Sequence, residues 1–311
     1  MDIALDFVGM GEPMVELNQA TPGGGYLPGF GGDTSNATIA AARCGARTGY
    51  FTAVGNDVFG RSLIELWQTE KVDASRVILD ETASTGLYFV THAAGGHEFS
   101  YMRAGSAASR VQPRDVPEAY VGSARVLHVS GISQAISPNA ADAVFHAIDI
   151  AKRAGRLVSY DTNLRLKLWP LARARAITHE AMRSADIALP GLDDARQLTG
   201  LEQPDAIADF YLRLGASIVA LTLGREGALV ATNAERRRLP SREVEAVDAT
   251  GAGDTFDGAF LAEYLKTGDP FAAGRFATVA AALSTQGFGA VAPMPRRPAI
   301  EAALVDARPA S

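Results

Sequence analysis

Cysteine occurs once in this chain of 311 residues, at Cys44. That excludes an intramolecular disulfide and any zinc site built on paired thiolates. Basic residues are outnumbered, with 29 Lys and Arg against 35 Asp and Glu and a net charge of −6. A general nucleic-acid binder needs the opposite balance along the phosphates, so that class is excluded, whereas a small anion can still be held by a few local arginines. No stretch approaches the roughly 18 uninterrupted apolar residues of a membrane span. The opening MDIALDFVGMGEP carries Asp2 and Asp6 where a secretion signal needs basic residues before an apolar run. Together with the single cysteine this makes a cytoplasmic location the expectation. The five histidines, at 92, 97, 128, 146 and 179, form no HExxH or other metal spacing and read as structural or exposed. There is no GxxxxGK[ST] loop, and the glycines of GMGEP do not make GxGxxG between a strand and a helix, which disfavours a dinucleotide oxidoreductase.

What is present is material for a full core, with 47 % apolar and 21 % charged residues. Ile3 to Gly9 reads as a buried strand, Thr34 to Cys44 as a helix capped by Asp33 or Thr34, Gly49 to Val54 as a strand and Phe59 to Glu70 as a helix. From Arg125 onward strands at 125–130, 156–160, 186–190 and 217–222 alternate with helices at 138–154, 172–183 and 204–214. Ser137, Pro138 and Gly155 punctuate the first of these helices. Strands separated by such helices imply right-handed parallel crossovers, hence an α/β fold with a mostly parallel sheet and helices on both faces. Two segments break the rhythm, 11–32 and 84–103. The second reads as a hairpin turning at Ala93-Ala94-Gly95-Gly96. Both are expected in one small sheet projecting over the ligand edge as a lid, within a single domain spanning 1–311. Arg236-Arg237-Arg238 reads as a solvated hairpin edge.

The chemistry concentrates in Val247-Asp248-Ala249-Thr250-Gly251-Ala252-Gly253-Asp254-Thr255-Phe256. This glycine-rich turn follows a strand-like Val244–Val247 and opens a helix whose core face is Phe256, Phe260 and Tyr264. Unpaired backbone N–H groups and the positive end of the helix dipole converge there on an anion site. Asp254 could by itself be no more than an N-cap.

The string DATGAGDTFDGAF resembles the signature of the ribokinase-like (PfkB-type) sugar kinases. The resemblance implies that Asp254 takes the proton of the sugar hydroxyl while the amides of Gly251, Ala252 and Gly253 hold the transferring phosphoryl group. An aspartate of ordinary pKa, about 3.9, would be ionised for that task at neutral pH. Gly31-Gly32-Asp33-Thr34-Ser35-Asn36 resembles the family's N-terminal Gly-Gly motif, which implies sugar contacts from Gly32, Asp33 and Asn36. Thr222-Leu223-Gly224-Arg225-Glu226-Gly227 resembles its strand-turn against ATP, so Thr222, Gly224, Gly227, Gly251 and Gly253 are expected at the nucleotide, with Thr278 and Ala282 near the adenine.

Within the family, Tyr101 to Ser109, Leu127 to Ile132 and Asp161 to Trp169 resemble the 2-keto-3-deoxygluconate kinases. That subgroup resemblance implies a sugar-acid pocket of Tyr88, Tyr101, Arg103, Ile132 and Arg165. A guanidinium fork matches a carboxylate, whereas the bland reading has both arginines exposed or paired with protein carboxylates. The activity implied is ATP-dependent phosphorylation of 2-keto-3-deoxygluconate on its terminal hydroxyl, with magnesium on the phosphates. A kinase for fructose or another keto or deoxy sugar, and a catalytically silent sugar sensor, are the alternatives. Two departures bear on the nucleotide. Gly191-Leu192-Asp193-Asp194 stands where many relatives have Asn-x-x-Glu, and Thr278 where many have Asn. The resemblance also implies a potassium-type site at Asp248, Thr250, Ser284 and Gly289, and the exposed lid strands suggest a homodimer.

Overall fold

A run of strands that bury both faces makes the centre of the molecule. The computed structural model describes residues 4–19, 21–93 and 96–306. Its large sheet has eight strands in the spatial order Arg236–Leu239, Ala228–Thr232, Ile218–Thr222, Ile187–Leu189, Leu157–Asp161, Ala124–Ser130, Leu5–Met10 and Thr48–Phe51. The last six are mutually parallel, and the first two run antiparallel at the edge. Adjacent strand residues serve opposite cores, as the two-residue period of a pleat requires. Val8 and Leu127 pack with Val144, Ile148 and Tyr211 on one face. Phe7 and Val126 pack with Ala37, Phe256, Phe260 and Ile300 on the other. Helices therefore cover both faces, as expected.

The two segments outside the alternation meet in a second, four-stranded sheet, ordered Tyr26–Gly31, Met14–Gln19, Gly86–Ala93, Gly96–Met102. Its outer pairs are antiparallel and its central pair is parallel. The expected turn centre, Ala94 and Gly95, lies outside the described residues. Exposed Tyr26, Leu27, Phe99, Tyr101 and Met102 mark this sheet as only partly covered. The Arg236–Leu239 strand is an exposed edge whose arginines pair with Asp205, Asp209 and Glu235.

Three local expectations need correction. The strand expected over 49–54 divides at Thr52, whose hydroxyl donates to the Gly11 carbonyl at 2.7 Å. Thr48–Phe51 stays in the large sheet while Ala53–Gly55 pairs with Ile78–Asp80. Val244–Val247 forms no strand. Its end is held instead by the Thr285 carbonyl, which accepts from the amides of Val247 and Asp248. Neither Asp33 nor Thr34 caps the first helix. It spans Asp33–Arg43 behind Gly32, which sits at φ 108° with Glu12 and Pro13 backbone where a side chain would be. No helix among the described residues is long and apolar enough to cross a membrane.

Candidate active site

The loops at the C-terminal ends of the parallel strands, where ligands of such sheets bind, enclose a cavity of about 730 Å³ together with the small sheet. The helix Ala252–Thr267 starts at its wall. Gly251 precedes that helix at φ 74°, and a Cβ there would come within 3.1 Å of three Ala290 atoms, so the turn is closed to side chains. The Ala252 amide donates to the Ala249 carbonyl at 3.2 Å. The amides of Gly251, Gly253 and Asp254 have no acceptor among the described residues. Of the three residues expected to hold the phosphoryl group, Gly251 and Gly253 line the cavity, whereas Ala252, whose amide is engaged within the turn, does not.

Asp254 is the third residue of the helix, not its cap. Asn36 donates from Nδ2 to its Oδ2 at 2.8 Å, which two closely packed helices make possible. A Cβ on Gly258 would lie 2.1 Å from the Ala37 carbonyl oxygen, so glycine sets their approach. Burial and the neighbouring Asp33 carboxylate raise Asp254 to a pKa of about 7, while Asn36 and Arg165 pull the other way. The ordinary carboxylate pKa expected from sequence is therefore corrected. Burial first and neighbouring aspartates second also raise Asp161 and Asp257, two further cavity residues.

Of the residues expected at the sugar, Gly32, Asp33, Tyr88, Tyr101, Arg103, Ile132 and Arg165 line the cavity, as does Asp254, whereas Asn36 is buried behind it. Asp33 is fixed by Asn163, which donates to its Oδ2 at 3.1 Å. Tyr88 stacks on Tyr101, and its hydroxyl donates a hydrogen bond to Glu16 Oε2 at 2.5 Å. Arg103 is paired with a protein carboxylate, as its bland reading had it. Its Nε donates to Glu12 Oε2 at 2.7 Å, its Nη2 donates to the same oxygen, and Ser106 donates to Oε1. Arg165 is exposed and donates from Nη1 to the Leu164 carbonyl.

On the nucleotide side only Thr222, Gly251 and Gly253 of the expected residues line this cavity. Gly224 and Gly227 form the turn after Ile218–Thr222, both at positive φ. Thr278 and Ala282 are buried in the helix Pro270–Ser284, where the Thr278 hydroxyl donates to the Arg275 carbonyl. Gly191 also lines the cavity, with only the Thr222 hydroxyl near its vacant Cβ position. Asp194 accepts from the Leu164 amide and so shapes the loop bearing Arg165. Asp248 accepts from the Thr250 amide and hydroxyl and from the Gly289 amide, joining three of the four expected cation-site residues. The Ser284 hydroxyl instead donates to the Ala281 carbonyl.

Sequence reasoning missed Glu12, Glu16, Asp161, Asn163, Lys167 and Asp257 as site residues. Three of these lay inside the motif Asp161 to Trp169. Asp257 follows Asp254 at the three-residue spacing that shares a helix face. Nothing local marked the two glutamates.

Residues 12–297 match the sequence pattern of the pfkB family of carbohydrate kinases. The chain is 37 % identical over 304 residues to 2-dehydro-3-deoxygluconokinase from Thermoproteus tenax, covering 94 % of this chain and 92 % of that one. It is 36 % identical over 261 residues to the enzyme of that name from Bacillus subtilis, covering 81 % of each. Fructokinase-2 from Solanum habrochaites is 34 % identical over 265 residues, 84 % of this chain and 79 % of its own. Among solved structures, a PfkB protein from Polaromonas sp. JS666 superposes with a TM-score of 0.88 at 33 % identity, covering 96 % of this chain and all of its own. A putative ribokinase II from E. coli in complex with ATP and Mg2+ gives 0.91 at 26 % identity, covering 97 % and 99 %.

Proposed function

The chain belongs to the pfkB family of carbohydrate kinases, and within it we propose a kinase that transfers the γ-phosphoryl group of ATP to the terminal hydroxyl of 2-keto-3-deoxygluconate. The observation that carries the catalytic part is Asp254, held by Asn36 beside the free amides of Gly251 and Gly253. As the hydroxyl oxygen bonds to the γ-phosphorus, the bond to the bridging oxygen breaks, ADP departs and the hydroxyl proton passes to Asp254. A carboxylate with a pKa of about 7 accepts that proton more readily than an ordinary one. The amides and Arg165 stabilise charge on the transferring oxygens. The Asn36 Oδ1 is buried without a partner. That orphan acceptor suits a sugar hydroxyl.

The acid is supported by the cavity's cations and by the two relatives of that name. Of the two arginines expected at the carboxylate, Arg103, beside the walls formed by Tyr88 and Tyr101, is the one proposed to meet it, while Arg165 serves the reacting end. Fructose is the competing substrate, favoured by the fructokinase relatives.

Magnesium fits the donor set, because Asp161, Asp194 and Asp257 bring carboxyl oxygens to the cavity wall, and a cation there would favour the ionised forms that burial disfavours. No group of three or more acidic, His or Cys side chains among the described residues is arranged to hold a metal alone. Magnesium would therefore arrive on the phosphates and supply charge neutralisation. We extend the proposal to potassium beside Asp248, Thr250 and Gly289, to a cytoplasmic setting, and to a second copy of the chain pairing through the small sheet, whose apolar residues are exposed.

Phosphorus NMR of the product tests the reaction. Phosphorylation at the terminal carbon gives a phosphomonoester split into a triplet by the adjoining methylene protons. A doublet would place the phosphate on a secondary hydroxyl and refute the assigned position.

A further inference from the structure

Three cations line the cavity, and their charges are not equally available. Arg103 is already matched: Glu12, fully buried beneath it, takes its Nε and Nη2. A carboxylate approaching that pair meets a donor whose net charge is cancelled, with a second carboxylate behind it. Arg165 acts toward the reacting end, since its charge lowers both Asp194 and Asp254 against the burial that raises them. Lys167 has neither commitment. It is exposed, takes part in no hydrogen bond or ion pair among the described residues, and its Nζ lies 6.0 Å from the centre of the Tyr101 ring. The Arg103 guanidinium lies 5.9 Å from the same ring.

We propose that Lys167 determines the preference for an acid, supplying beside Tyr101 the uncompensated positive charge that the substrate carboxylate meets, while Arg103 only orients it. The proposal rests on the sugar-acid reading above. A desolvated carboxylate needs an unmatched cation, because an already neutral pair cannot repay its lost hydration. A cation–π attraction to Tyr101, 6.0 Å from Nζ, would favour this position of the ammonium and lower the entropy cost of the contact. The arrangement also gives the substrate polarity: the acid end lies at the small sheet and the far hydroxyl points to Asp254.

The test uses Lys167→Met, which keeps the apolar stem and removes the charge, with Lys167→Arg as the conservative variant. Calorimetric Kd for the acid without nucleotide, and kcat and KM for the acid and for fructose, are compared with the wild type. The expected result is a rise of about tenfold or more in Kd and KM for the acid, a much smaller change in kcat, and a smaller loss on fructose. Lys167→Arg should recover most of the affinity, and raising salt should weaken wild-type acid binding more than that of Lys167→Met. If Lys167→Met binds the acid as the wild type does, or loses acid and fructose equally, the assignment is overturned while the sugar-acid reading stands. If the wild type itself neither binds nor turns over the acid, the sugar-acid reading fails and this assignment fails with it.

Discussion

Asn36 and Asp254 stand 218 positions apart in the chain, yet the Asn36 Nδ2 donates to the Asp254 Oδ2 at 2.8 Å. The contact joins the first helix to the helix that carries the proposed base. It both aims the carboxylate and favours its ionised form. Replacing Asn36 by Ala should therefore raise the Asp254 pKa. The acid limb of the kcat/KM profile should move to higher pH, with activity recovering as pH rises. An unmoved limb with a uniformly lower rate would give Asn36 a structural role only.

For the wild type, the base must be ionised, so kcat/KM should fall as pH drops through about 7. Asp254→Asn should lower kcat by about a hundredfold or more, with calorimetric affinity for the sugar retained. Near-wild-type kcat in that variant would remove Asp254 from the role of base.

The same carboxyl predicts a trade between stability and function. Its folded pKa, about 7, lies above the ordinary value near 3.8, so the group's contribution is fully present below pH 4 and lost as pH rises through 7. Asp254→Asn does not titrate. Its melting temperature should therefore exceed the wild type's at pH 8, by a few degrees, and the gap should close as pH is lowered. Thermal scans across pH 5 to 8 check this, and a pH-independent gap would contradict the raised pKa.

Glu12 and Arg103 should be strongly coupled. Arg103→Met leaves a buried carboxylate without its cation and should cost about 3–5 kcal/mol in denaturant unfolding. The double variant Glu12→Gln with Arg103→Met should recover most of that stability without recovering affinity for the acid. Additive losses in the two single variants would mean that the pair is not a unit.

Gly258 sets the approach of the two helices behind the site. A Cβ there would lie 2.1 Å from the Ala37 carbonyl oxygen and 2.7 Å from the Ala40 Cβ. Gly258→Ala should spread the helices, costing about 1–3 kcal/mol as overpacking does, and lengthen the Asn36–Asp254 contact so that kcat falls as well. Unchanged stability and kcat would show that the packing yields without moving the base.

The α/β alternation was legible because buried parallel strands and amphipathic helices have distinct periods, and Ser137, Pro138 and Gly155 marked one helix to within a residue. The glycine turn before Asp254 was legible for a similar reason, since its geometry is written in consecutive residues. Longer-range consequences were not. The pKa of Asp254 depends on Asp33, which lies far away in the chain, and the pairing of Arg103 depends on Glu12, which carries no local signature. Val244–Val247 had strand-like residues, yet it joins no strand among the described residues, and the Thr285 carbonyl takes its last amide instead. Lys167 stood within a recognised motif, but its importance comes from what its neighbours have already spent.

The most direct test of a sugar-acid kinase is ADP release with ATP and magnesium on 2-keto-3-deoxygluconate, gluconate, fructose and ribose in parallel. The keto-deoxy acid should have the highest kcat/KM, with Asp254→Asn nearly inactive on all four. A higher kcat/KM on fructose or ribose would contradict the acid pocket, and no turnover of any of them would contradict the kinase itself.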